Sequence, residues 1–152
     1  MKDTPALSCF RAISTSIAGW LILCLPVSAT TELNSIHFKP GQPLAGQSLG
    51  ESISSPGYFQ MMDQAISVFK AHPEILIEVH GHTDSSECSP GDCLMLSTRR
   101  AELVTRYLIE HGLPPKQIFA VSGFGSRHPL LSDPHTVSDR EANRRVEFSR
   151  KF

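Results

Sequence analysis

A positively charged side chain lies on the apolar stripe of a predicted helix, and this constrains how the chain can fold. Leu96, Arg100 and Val104 recur at intervals of four residues, so they share one helix face. A guanidinium buried on that face is costly unless an anion or equivalent acceptors meet it. The helix is predicted to begin near Leu94, which puts Arg100 close to the positive end of the helix dipole. We therefore expect an anion at Arg100, either the carboxylate of Asp84 or one that belongs to a ligand.

The remaining hydrophobic pattern predicts alternating strands and helices. Apolar residues at three- and four-residue spacing predict a helix from about residue 59 to 72, and alternation predicts a strand over 75–80. In chain order the prediction is β-α-β-α-β-β, a sheet covered on one side by two helices. The predicted strands span residues 36–38, 75–80, 118–121 and 145–152, the second helix spans 94–111, and long loops span 40–57 and the segment between the last two strands.

Size and charge limit the classes of function. The chain has 152 residues, enough for one domain with its own core, and 40% of them are hydrophobic, as in globular proteins. The formal net charge is −1 and there is no block of Lys or Arg. A nucleic acid is therefore not an expected partner.

The N-terminal segment has the pattern of an export signal. Lys2 and Arg11 precede an uncharged run over residues 12–27 that ends in small residues. This pattern predicts a signal peptide over residues 1–29 and a mature domain over 30–152. The uncharged stretch also has roughly the length of a bilayer span, so an uncleaved membrane anchor is the alternative.

Two cysteines stay in the mature domain, five residues apart. Cys88 and Cys93 flank Ser-Pro-Gly-Asp at 89–92, a turn-forming sequence that can bring the two thiols together. In an oxidising compartment this favours a disulfide, with two free thiols as the alternative. A zinc site is not expected, because the spacing lacks a second Cys or His pair.

Several motifs in a fixed order resemble one family. Gly-His-Thr-Asp at 81–84 precedes Leu-Ser-x-x-Arg-Ala-x-x-Val at 96–104, and Gly-Phe-Gly at 123–125 precedes Arg-x-x-Asn-Arg-Arg-Val-Glu at 140–147. Together they resemble the C-terminal OmpA-like, peptidoglycan-associated domain of peptidoglycan-associated lipoproteins and flagellar stator B proteins. The resemblance implies an α+β fold, a β-α-β-α-β-β two-layer sandwich whose mixed four-stranded sheet has helices on one face.

The resemblance also implies a function. Members of this family are not enzymes and use no cofactor; they bind peptidoglycan through the diaminopimelate of its stem peptides. We thus expect a periplasmic, wall-associated protein that helps to link or organise the bacterial envelope. Contact with the outer membrane and with other envelope proteins is left open.

Individual roles carry over by matching positions. Asp84 would receive the diaminopimelate ammonium, Arg100 would pair with its carboxylate, Leu96 would contact the peptide, and Arg144 would support the pocket. Cys93 stands near the position of a family Asn, and Lys39 stands where lipoprotein members often have Asp, so contacts there are expected to differ. The predicted binding residues are Phe38, Thr83, Asp84, Leu96, Arg100, Asn143 and Arg144.

One rival hypothesis is a zinc-dependent hydrolase of the cell wall. His80, His82 and Asp84 alternate along one strand face, a spacing that can ligate zinc. No Glu-His base pair or activated serine accompanies them. We therefore favour His82 as a structural hydrogen-bonding residue.

Overall fold

The computed structural model describes residues 35–151. The predicted signal peptide and Phe152 lie outside this range. None of the helices within it is long and apolar enough to cross a membrane. The elements are β1 Ile36–His37, α1 Leu49–Ser52, α2 Gly57–Ala71, β2 Leu76–Gly81, α3 Pro90–Glu110, a 3-10 turn at Pro115–Gln117, β3 Ile118–Gly123, α4 Val137–Asn143 and β4 Arg145–Lys151.

Four strands form one mixed sheet in the order β1-β4-β2-β3. β2 pairs with β3 in parallel, and β4 is antiparallel to both of its neighbours, β1 and β2. α3 packs on β2, β3 and β4, and α2 packs on α3. The α+β architecture predicted from the sequence is therefore confirmed.

The core lies between the helices and one face of the sheet. Ile77 and Val79 of β2 are buried, whereas Glu78 and His80 on the opposite face are half-buried, as the alternation predicted. Each fully buried aliphatic or aromatic side chain stabilises the fold by about 1.5–3 kcal/mol. From the helices, the core receives Met62, Ile66 and Phe69 of α2 and Ala101, Val104 and Leu108 of α3.

Two short helices occupy segments that the sequence pattern predicted as loops. α1 begins after Ser48, whose backbone N–H and hydroxyl both bond to the carboxylate of Glu51. α4 begins after Thr136, which accepts a hydrogen bond from Asp139 N–H while the Asp139 carboxylate accepts one from Thr136 N–H. Such reciprocal caps stabilise a helix start that has too few residues to show a hydrophobic period.

α3 begins four residues earlier than predicted, and this corrects the dipole argument for Arg100. Ser89 is the N-cap and Pro90 the first helical residue. Arg100 therefore lies in the middle of α3, whereas the helix dipole acts mainly within the terminal turns. The helix dipole therefore gives no reason to expect an anion at Arg100. The burial of the guanidinium is the remaining reason.

α3 approaches the sheet closely where two glycines face it. Gly81 of β2 lies opposite Gly123 of β3 in the register. A Cβ on Gly81 would overlap the carbonyl oxygen of Ser97 and lie 2.8 Å from its carbonyl carbon. Ser97 Oγ also accepts a hydrogen bond of 2.8 Å from Gly125 N–H. These contacts fix α3 against the carboxyl ends of β2 and β3, one turn before Arg100.

At the start of β4, a buried arginine and a histidine share one carboxylate. Glu147 accepts a hydrogen bond of 2.9 Å from Arg145 Nε, and its other oxygen lies 3.2 Å from His82 Nε2. The hydrogen bond with His82, together with Arg145, lowers the pKa of Glu147 from 4.5 to about 2. Burial lowers the pKa of His82, so the neutral imidazole is favoured as a donor.

We expect Gly81→Ala to destabilise the protein by about 3 kcal/mol, because a backbone carbonyl cannot move aside as a side chain can. Urea unfolding measures the change. Gly91→Ala is the matched control, because no atom lies within 4 Å of a Cβ at that exposed position of α3. Equal stabilities for the two variants would contradict the close approach.

We expect Glu147→Gln to make the protein less sensitive to acid. A carboxyl whose pKa is lowered by folding stabilises the native state above its unfolded pKa, and that contribution is lost as the pH falls through the folded pKa. The difference in unfolding free energy between wild type and variant should therefore shrink as the pH falls from 4.5 towards 2. Chemical denaturation across this pH range measures the difference. A difference that stays constant would show that folding does not lower the pKa of Glu147.

Candidate functional site

Arg100 is completely buried, and each of its five N–H groups has a hydrogen-bond acceptor. Nε donates to Gln42 O at 2.7 Å. Nη1 donates to His82 O at 3.0 Å, and Nη2 to Lys39 O at 3.4 Å. The other two N–H groups, one on each Nη, donate to the two carboxylate oxygens of Glu87 at 2.7 and 2.8 Å. The anion that Arg100 binds within the chain is thus Glu87, in a bidentate ion pair, and not Asp84, the internal candidate expected from the sequence.

Glu87 receives two further hydrogen bonds besides those of Arg100. Asp84 N–H donates to Oε1 at 3.1 Å, and Gly41 N–H donates to Oε2 at 2.8 Å. The Glu87 side chain is only 4% exposed. We call these four donors, two from Arg100 and one each from Asp84 and Gly41, the carboxylate cradle.

The surroundings of Arg100 bear on its charge. Burial lowers the pKa of Arg100, the hydrogen bonds and charge of Glu87 oppose that shift, and the positive charge of Arg144 adds to it. The guanidinium also lies 5.2 Å from the ring centroid of Phe38, a cation–π distance. Glu87 is therefore the main group that balances the buried charge.

Asp84 is buried beside the cradle but has one free carboxylate oxygen. Oδ1 accepts hydrogen bonds from the N–H and the hydroxyl of Ser86. Oδ2 is buried and has no partner within residues 35–151, and the same holds for Thr83 Oγ1 next to it in sequence. No ion pair joins Asp84 to Arg100 in this range; Glu87 contacts both residues. An unpaired buried carboxylate oxygen can accept a hydrogen bond from a cation.

A disulfide begins at the residue after Glu87. The structure contains the predicted Cys88–Cys93 bridge, with Cα atoms 5.1 Å apart. Cys88 directly follows Glu87, and Cys93 is a buried residue in the first turns of α3. Residues 90–92, predicted as part of a turn, belong to α3. The bridge thus ties the end of the Glu87 segment to the helix that carries Arg100.

The other predicted site residues lie at different distances from the cradle. Phe38 is buried, and its carbonyl accepts a hydrogen bond of 3.1 Å from Arg144 Nε. Leu96 is buried on α3, outside the main core cluster. Asn143 bonds instead to the backbone of residues 130–131, accepting from both N–H groups and donating to one carbonyl. The structure therefore gathers Phe38, Asp84, Arg100 and Arg144, whereas the Asn143 side chain anchors a neighbouring loop.

Glu87 and the backbone carbonyls around Arg100 are binding partners that the sequence pattern did not predict. Between the end of β2 and Leu96, the chain has only two acidic residues besides Asp84, namely Glu87 and Asp92. Asp92 accepts a hydrogen bond from the Ser89 hydroxyl at the start of α3. The inward position of Arg100, together with this short list of acidic residues, is the sequence signal that could have identified Glu87. The ammonium of Lys39 donates a hydrogen bond of 2.8 Å to Glu51 O.

The residues of the rival zinc site have other partners. His82 bonds to Glu147 and stacks on Phe124, with ring centroids 5.5 Å apart. His80 Nε2 lies 3.5 Å from a carboxylate oxygen of Glu78, and Asp84 Oδ1 accepts a hydrogen bond from Ser86 N–H. Across residues 35–151, no group of three or more His, Cys, Asp or Glu side chains is arranged to hold a metal ion.

Solved structures share this fold. The peptidoglycan-associated lipoprotein from Burkholderia pseudomallei superposes with a TM-score of 0.63 at 24% identity, over 77% of this chain and 89% of that one. The C-terminal domain of Helicobacter pylori MotB gives a TM-score of 0.64 at 22% identity, over 78% of this chain and 84% of that one. At these identities the similarity establishes the fold.

Sequence comparison establishes the family. Peptidoglycan-binding protein ArfA of Mycobacterium tuberculosis is 32% identical over 115 residues, which are 76% of this chain and 34% of that protein. Outer membrane porin F of Pseudomonas fluorescens is 34% identical over 99 residues, 65% of this chain and 29% of that protein. The chain thus spans about a third of the length of these relatives. The OmpA family model matches residues 50–144, and the chain belongs to the OmpA family.

Proposed function

We propose that this chain binds peptidoglycan without catalysis, through the diaminopimelate of the stem peptides, and so helps to link or organise the bacterial envelope. Membership of the OmpA family supports this proposal, as does the similarity to a protein named for peptidoglycan binding. The observation that carries it is the buried Asp84 carboxylate with one unpartnered oxygen beside a buried guanidinium.

Asp84 is the proposed acceptor for the ligand's ammonium. Its Oδ2 is desolvated and unpaired, so an ammonium that reaches it replaces no existing hydrogen bond. A charge-assisted hydrogen bond of this kind contributes about 1.5–3 kcal/mol. The unpartnered hydroxyl of Thr83, next in sequence, is a further acceptor for the same ammonium.

Arg100 is the proposed partner of the ligand's carboxylate. Its planar fork of N–H groups suits a carboxylate, and it already binds one in this way. Because that carboxylate is Glu87, the ligand's carboxylate can reach Arg100 only if Glu87 moves. In this proposal, the Phe38 ring packs against the guanidinium, Arg144 supports the pocket by donating a hydrogen bond to the Phe38 carbonyl, Leu96 contacts the peptide, and Asn143 anchors the loop at residues 130–131.

The setting follows from the same proposal. A signal peptide over residues 1–29 would export the domain to the periplasm, where the disulfide is stable and the wall is accessible. A single small ligand gives modest affinity, but the many stem peptides of one polymer raise retention. A variant of the proposal keeps the N-terminal segment as an uncleaved membrane anchor. N-terminal sequencing of the exported protein distinguishes the two, because a start near residue 30 excludes the anchor.

We expect Asp84→Asn to weaken binding of a soluble diaminopimelate-containing stem peptide by about tenfold or more, because it removes the charge that receives the ammonium. Calorimetry with the peptide and co-sedimentation with purified peptidoglycan measure the loss. Asp133→Asn is the matched control, because the side chain of Asp133 is 86% exposed. Unchanged binding by Asp84→Asn would refute the site.

The ligand can be varied to test the same contact. A stem peptide whose side-chain amine is acetylated should lose affinity for wild type, yet differ little from the unmodified peptide when Asp84→Asn is the receptor. This non-additivity is expected only if the amine and Asp84 are in contact. Equal losses in both proteins would place the amine elsewhere.

A further inference from the structure

We infer that Glu87 is a built-in competitor for the ligand's carboxylate, so that this chain binds its ligand by exchanging one carboxylate for another in the cradle. This inference rests on the proposed function and names the residue that sets the affinity of the site.

The cradle recognises a carboxylate group and not a glutamate as such. Its four hydrogen bonds, from Arg100, Asp84 N–H and Gly41 N–H, all end on the two oxygens of Glu87. Any carboxylate that enters in the same orientation receives the same four bonds. Exchange therefore leaves Arg100 neutralised, which avoids the several kcal/mol that an unpaired buried guanidinium costs.

One half of a zwitterion's binding site holds a carboxylate, and the other half is a buried carboxylate oxygen without a partner among residues 35–151. The cradle holds a carboxylate, whereas Asp84 Oδ2 beside it has no partner. Glu87 offers a carboxylate but no ammonium, so it satisfies only one side of the site. A ligand that brings both charges gains the contact with Asp84 in addition, and this surplus drives the exchange.

The position of Glu87 allows its carboxylate to leave the cradle and to return to it. It lies between β2 and α3, outside both elements, and its N–H is 3.5 Å from Asp84 O, a long hydrogen bond. The Cys88–Cys93 bridge joins the next residue to α3, which also carries Arg100. A tethered carboxylate acts at a high effective concentration, so it lowers the apparent affinity of a free one.

Glu87→Gln tests the competition directly. Glutamine keeps the size of the side chain but removes the charge, so it competes less well for Arg100. We expect this variant to bind the soluble stem peptide roughly tenfold more tightly than wild type, a change of about 1.4 kcal/mol. Glu110→Gln, an exposed position at the end of α3, is the matched control and should bind like wild type.

Glu87→Ala tests the cradle without any wall ligand. This variant leaves Arg100 without its counter-charge, so its melting temperature should fall below that of wild type. Sodium acetate should then raise that temperature more in Glu87→Ala than in wild type, at an ionic strength matched with chloride, because acetate fills the empty cradle. Equal acetate effects in the two proteins would overturn the inference.

The outcomes separate this inference from the proposed function. If Glu87→Gln binds the stem peptide no better than wild type while Asp84→Asn still loses binding, Glu87 is a fixed part of the site and only the inference fails. If wild type and Asp84→Asn bind equally, the proposed diaminopimelate site fails and the inference falls with it. If Glu87→Gln binds the stem peptide more tightly than wild type, and the double variant with Asp84→Asn loses that binding, the result supports both the inference and the proposed function.

Discussion

Satisfying one buried guanidinium organises the functional end of this domain. Arg100 draws its acceptors from three separate segments: the chain just after β1, the end of β2 and the turn before α3, next to the disulfide. Each donor left without an acceptor would cost about 1–3 kcal/mol, so all three segments must be in position together. The arrangement of backbone around the site is therefore a consequence of where Arg100 lies on α3.

The position of α3 is itself set by a close contact with the sheet. The carbonyl of Ser97 occupies the space where a side chain on Gly81 would be. The Ser97 hydroxyl accepts a hydrogen bond from Gly125 N–H. Because both contacts lie one turn before Arg100, they determine how deeply the guanidinium enters the fold. Two glycines and a serine in the family motifs thus have a mechanical role in the site, although none of them needs to touch a ligand.

Sequence reasoning succeeded where a periodic pattern covers a whole element. The two long helices, β2 and the inward direction of Arg100 follow from spacing. It failed for α1 and α4, because a few residues cannot show a helical period and only the caps at Ser48 and Thr136 indicate them. Glu87 was missed for a different reason: which carboxylate reaches Arg100 depends on the path of an irregular turn, and no residue spacing encodes that path.

Glu87 gives the site two opposed requirements. In the free protein, the carboxylate neutralises a buried cation and so stabilises the fold, but the same contact occupies the group proposed to hold a ligand. A residue that only supported the fold would make stability and binding fall together when it is changed. A competing residue makes them change in opposite directions, which is the usual sign of a site where function is gained at the expense of stability. The direction of the two effects, more than the size of either, therefore identifies the role of Glu87.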